Sequence, residues 1–126
     1  MKRIDVSRIL AGEMFPEDFS RIYGDEISRH YGLLNKGGAS APIMLEGEQY
    51  IFVNRTNLRR ALDYFLAARL NKEEIGYLLD ALSLDVKTRF TDAALREGVM
   101  DLSDSGFSQE DVNEFVGTVL NGAGGT

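Results

Sequence analysis

The chain has 126 residues, 44% of them hydrophobic and 27% charged, the size and composition of one globular domain that needs neither metal nor disulfide to bury a core. It contains no cysteine, which excludes disulfide frameworks, thiolate metal sites and cysteine nucleophiles and fits a reducing compartment. A net charge of -6 disfavours non-specific attraction to nucleic acid or anionic lipid.

The charge is unevenly placed. Residues 1–70 hold ten Lys and Arg against nine Asp and Glu, a balance of +1, whereas residues 71–126 hold four against eleven, a balance of -7. The amino-terminal "MKRIDVSRIL" is too charged for a secretory signal, and no apolar stretch approaches the ~20 residues that span a bilayer. The expectation is a cytoplasmic protein with no membrane segment.

In chain order, Asp5 is expected to cap a short helix carrying Val6, Ile9 and Leu10 on one face, stopped by Gly12. Pro16 suits the first position of a longer helix with Phe19, Ile22, Tyr23, Ile27, Tyr31 and Leu34 at helical spacing. Gly24 and Asp25 leave open whether that helix is one segment or two. The runs "APIML" and "QYIFV", separated by "EGE", predict a β-hairpin from Pro42 to Val53. Because both runs are apolar at consecutive positions, both faces of the hairpin are expected to be at least partly covered, with helices packed on it.

From Asn54 onward the spacing predicts helices. Leu58, Ala61, Leu62, Phe65 and Leu66 form one stripe, and Asn71 with Glu74 forms a capping box before Ile75, Leu78, Leu79 and Leu82. Thr91 or Asp92 opens a helix carrying Leu95, Val99 and Leu102; Ser108 opens the last, with Val112, Phe115, Val116 and Val119 inward. The predicted fold is a compact, mainly α domain of the α+β class over residues 1–121, with about five or six helices and one inserted hairpin. The closing residues 122–126 lack an apolar anchor and are expected to form a flexible tail.

The motifs that suggest chemistry do not hold. A phosphate loop runs from a strand into a helix, its lysine after the glycines. In "NKGGASAP", Asn35 to Pro42, the order is reversed and Lys36 precedes the glycines, so the stretch reads as a helix stop and a turn. His30 is the only histidine, with Glu26 and Asp25 as its nearest carboxylates; it reads as a solvated or half-buried helix residue. In "DLSDSGFSQED", counted from Asp101, Ser103 and Gly106 suit a calcium loop, but Val112 stands where the bidentate glutamate belongs. No catalytic residue, metal site or cofactor is expected.

Two charged faces remain. Glu97, Asp101 and Asp104 recur at i, i+4 and i+7 opposite the Leu95 and Val99 stripe, an arrangement that costs a few tenths of a kcal/mol per pair in repulsion. Glu110, Asp111 and Glu114 extend the negative field, although acids in a first turn also suit the helix dipole. This face reads either as a recognition surface for a basic protein partner or as a solvated face that keeps the protein soluble. Tyr77 and Met100 lie off the apolar stripes and are candidate anchors for such a partner. In "NRTNLRRAL", Arg55, Arg59 and Arg60, with Arg69 further on, suit a phosphate or an acidic partner, but are expected to pair within the domain, Asp63 lying one turn from Arg59 and Arg60.

Residues 70–120 resemble the carboxy-terminal helical part of small acidic bacterial immunity proteins that neutralise toxins. The likeness rests on the helix "EIGYLLDAL", a linker containing Phe90, and a helix ending in an acidic turn before a capped final helix. It implies a non-catalytic inhibitor that obstructs a toxin, such as a nuclease, whose substrate cleft is basic. The alternatives from the residues themselves are an adaptor or homodimerising module using the hairpin edge, a phage-encoded inhibitor, and a small-ligand-binding domain near His30 and the arginine helix.

Overall fold

A computed structural model describes residues 1–35, 43–104 and 107–122, with the side chains of 33–35, 104, 121 and 122 outside the description. Among the described residues, six α-helices and a π-helical segment pack with a two-stranded sheet: α1 (Arg3–Ala11), α2 (Pro16–Asn35), β1 (Ile51–Val53), α3 (Arg55–Leu66), α4 (Lys72–Leu84), β2 (Thr88–Phe90), α5 (Ala93–Asp104), α6 (Gln109–Phe115) and the π segment Val116–Gly122. This is the mainly helical α+β domain that the periodicity predicts. None of the described helices is long and apolar enough to cross a membrane.

The local signals place the helices. Gly12 ends α1 at φ 77°, a left-handed conformation that glycine adopts without steric cost, and its N–H closes onto the carbonyls of α1. Asp5 does not cap α1, whose N-cap position is Lys2; it lies in the first turn and accepts a short hydrogen bond from the Tyr23 hydroxyl of α2. Burial, together with that carboxylate, pushes the Tyr23 phenol up to about 12. α2 runs unbroken through Gly24 and Asp25. Asn54, Asn71 and Ser108 each close a reciprocal capping box, with Asn57, Glu74 and Asp111. Of Thr91 and Asp92, it is Asp92 that accepts the Leu95 N–H at 2.9 Å and opens α5.

The predicted hairpin is not formed. β1 pairs in parallel with β2, Ile51 opposite Thr88 and Val53 opposite Phe90, and α3 and α4 make the crossover that a parallel pair requires. Residues 43–45 are not strand; instead Glu46 forms an isolated parallel bridge with Lys2. The physical reason is local: Arg3 donates through its backbone to the Glu46 carbonyl, so the chain after residue 43 docks on the start of α1 instead of on β1. Coverage of the sheet differs from expectation too. Ile51 and Val53 are buried against the helices while Phe52 is 67% exposed, so only one face is covered.

α4 is the centre of the molecule. It packs on α5 most extensively and also on α2 and α3, and is buried on Ile75, Leu78, Leu79 and Leu82 and on its flank at Gly76, Tyr77 and Ala81. At its end Asp85 receives the Arg3 guanidinium in a bidentate pair, the shortest contact 2.6 Å, while Arg3 also donates to the Gly47 carbonyl and Thr88 donates to Asp85. Burial would push the Asp85 carboxyl up, but Arg3 and Thr88 outweigh it and hold the group below the usual carboxylate range. One node thus joins α1, the segment after residue 43, α4 and β2.

Candidate functional site

The sequence places two acidic helices in succession; the fold sets them side by side. Gly98 on α5 is the reason they meet closely. A Cβ at this position would stand 2.0 Å from Cε2 of Phe115, so the absence of a side chain lets the Phe115 ring of α6 lie directly on α5. Around that contact is an open groove of about 320 Å³ lined by Asp101 from α5, by Asp111 and Glu114 from α6, by exposed Thr118, and by the buried side chains of Leu102 and Phe115.

Three of the expected acidic residues therefore share one groove. Glu97 and Glu110 are exposed on the same two helices but do not line it. Asp104 ends α5, and its side chain lies outside the described residues. Asp111 also has a structural role, its carboxylate accepting the Ser108 N–H at 2.8 Å. Among the described residues no three His, Asp or Glu side chains converge tightly enough to hold a metal ion. The groove accordingly offers a spread negative field over an apolar floor, a geometry suited to several cationic side chains and less to a single ion.

The two candidate anchors separate. Met100 is 38% exposed on α5 and remains available to a partner. Tyr77 does not: it is 3% exposed, and its hydroxyl donates to Glu26 of α2 at 2.5 Å. Reading one apolar stripe per helix leaves Tyr77 outside the core, but α4 has neighbours on several sides and its flank is buried as well. Burial, and then the Glu26 carboxylate, pushes its phenol above its ordinary value. His30 is half-buried, edge-on to the rings of Tyr31 and Tyr77 at 5.0 and 5.1 Å, in keeping with a helix residue packed at the surface.

The arginine helix lines a larger cleft of about 560 Å³. As expected, its cations find partners inside the domain. Arg55 pairs with Asp92 through a short contact and donates to the Val119 carbonyl, Arg59 meets Asp63 at 3.7 Å, and Arg69 pairs with Glu17 at 2.9 Å. Arg60 reaches the Leu10 carbonyl and not Asp63. Backbone donation from Leu95, with Arg55 second, holds the Asp92 carboxyl below its ordinary value. The glycine stretch at 36–42 and two positions of the candidate calcium loop, Ser105 and Gly106, lie outside the described residues, as does the expected tail apart from Gly122.

One cluster escapes sequence reasoning. Tyr50 and Phe52 project from the uncovered face of the sheet, beside Lys87 and Arg89. Each pair alternates with period two along its own segment, a signal of a common face, but only the parallel pairing of β1 with β2 brings the aromatic pair to the cationic one. The chain matches no protein-family model, and no curated protein or solved structure is detectably similar to it.

Proposed function

We propose that this protein is a non-catalytic binding protein that neutralises a partner with a basic surface, acting in the cytoplasm through the groove between α5 and α6. A bacterial toxin, such as a nuclease, is the partner that the immunity-protein resemblance implies. The observation that supports the reading is the convergence of Asp101, Asp111 and Glu114 on one groove floored by Leu102 and Phe115. A negative field of this kind speeds encounter with a cationic cleft and competes there with a phosphate backbone. Affinity requires a desolvated anchor too, and exposed Met100 on α5 supplies a candidate.

The adaptor reading relies on a hairpin edge; among the described residues the strands pair in parallel instead. The test is the triple variant Glu97→Lys, Asp101→Lys, Glu114→Lys, which spares the Asp111 cap. Capture on the immobilised chain from the lysate of its own host, read by quantitative mass spectrometry, should recover a basic protein at one-to-one stoichiometry on the wild type and lose it on the variant. Equal capture of that protein by a normally folded variant rejects the acidic groove as the site.

A further inference from the structure

We propose that the uncovered face of the β1–β2 pair is a second docking surface, whose occupant is a peptide segment bearing both carboxylates and apolar side chains. The alternation of β1 turns Ile51 and Val53 into the core and leaves Phe52 outside, opposite Arg89 in the parallel register. The rings of Tyr50 and Phe52 lie 6.4 Å apart, centroid to centroid. Lys87 Nζ and Arg89 Cζ each sit 4.9 Å from the centre of the Tyr50 ring. Val86, next in the chain, is 77% exposed.

The cations here are held differently from six of the arginines elsewhere, although Arg60 and Lys72 likewise rest on a carbonyl or a ring. Arg3, Arg8, Arg21, Arg55, Arg59 and Arg69 each pair with a carboxylate. Among the described residues Lys87 and Arg89 pair with none; the Tyr50 ring positions them, and Arg89 also donates to the carbonyls of Val86 and Thr88 at 2.8 and 3.1 Å. An aromatic ring and carbonyl oxygens orient a cation without neutralising it, so its charge stays available to an incoming anion.

The chemistry of the face selects among occupants. Two copies meeting through it would set Lys87 and Arg89 against themselves, a like-charge contact that opposes pairing. A nucleic-acid strand stacks its bases on bare rings and gains affinity from many phosphate contacts. Here cations already occupy the Tyr50 ring, and only Phe52 offers a bare one. A short acidic peptide needs only a pair of carboxylates for Lys87 and Arg89 and an apolar side chain for Phe52 and Val86. It is the occupant whose charge complements the patch.

The probe is a fluorescein-labelled glutamate–tyrosine copolymer, followed by anisotropy at low salt, with polyglutamate and oligo(dT) of similar length as comparators. The wild type should bind the copolymer more tightly than either, and Phe52→Ser, Lys87→Glu and the pair Lys87→Glu with Arg89→Glu should each weaken it, the pair by about tenfold. Lys87→Glu alone leaves the Arg89 contacts to the backbone in place, and melting temperatures confirm that each variant is folded. No binding of the copolymer, binding indifferent to these substitutions, or oligo(dT) bound as tightly through the same residues overturns the proposal. The triple-lysine variant of the α5–α6 groove should leave copolymer binding through Phe52 intact, which separates this surface from the first.

Discussion

The node around Asp85 and the groove around Asp101 handle charge in opposite ways. At the node, opposite charges are buried together: the Arg3 side chain is 9% exposed and that of Asp85 4%, and each has hydrogen-bond partners beyond the other. At the groove, charges of one sign gather at the surface around Phe115, and the interaction that sets the geometry is an apolar ring on a glycine. The same residue types hold the fold together in one place and load it with mild repulsion in the other. Net charge by region does not distinguish the two roles; burial and partner do.

The sharpest way to break the comparison is to unpair the node. Arg3→Ala leaves Asp85 buried without its cation and should lower stability by about 3–5 kcal/mol in denaturant unfolding, whereas Arg3→Met combined with Asp85→Leu should recover much of that loss. The same pair predicts a pH dependence. Because the folded carboxyl of Asp85 lies below its unfolded value of about 3.9, its contribution is complete above that value and disappears as pH falls through the lower folded one. Wild type should therefore lose stability through the strongly acidic range, and Arg3→Ala should lack that component. An acid limb of equal steepness in the two proteins would show that the pair does not behave as described.

At the groove the expected effects are smaller. Gly98→Ala forces the Phe115 ring off α5 and should cost about 1–3 kcal/mol, as overpacking does, with the loss visible in thermal unfolding. A neutral result would mean that α6 can shift without consequence, and that the glycine does not set the groove. Smallest is Glu114→Gln, which removes repulsion with Glu110 one turn earlier and should change stability by less than about 0.5 kcal/mol, in the stabilising direction. A loss above about 1 kcal/mol would instead place this carboxylate among the groups that hold the fold.

How much of this could be read from the residues depends on the range of the interaction involved. Asn71 with Glu74, and Ser108 before its apolar stripe, announce their helices because a cap and its partner are three residues apart. β2 announces nothing: Thr88, Arg89 and Phe90 form too short a strand, with too little apolar character, to stand out, and the partner lies two helices away. β1 was legible as a strand, but its partner was not, and the nearer apolar run was the natural but incorrect choice. The acidic residues were legible singly along α5 and α6. Their shared groove was not, because it depends on Gly98 admitting a ring from another helix. Tyr77 failed for a related reason, since helical spacing reports one buried stripe and gives no sign that α4 is enclosed on its flank.

The bidentate contact from Arg3 to Asp85 also bears on the order of events during biosynthesis. The first helix leaves the ribosome early, yet its guanidinium has no counterion until residue 85 has emerged, and the chain around Gly47 must by then be in place to receive it. Such a long closure slows the final step, and in the interval both Arg3 and β1 lack the partners that the later chain supplies. A nascent chain halted shortly before Asp85 should therefore engage chaperones more strongly than one halted after β2.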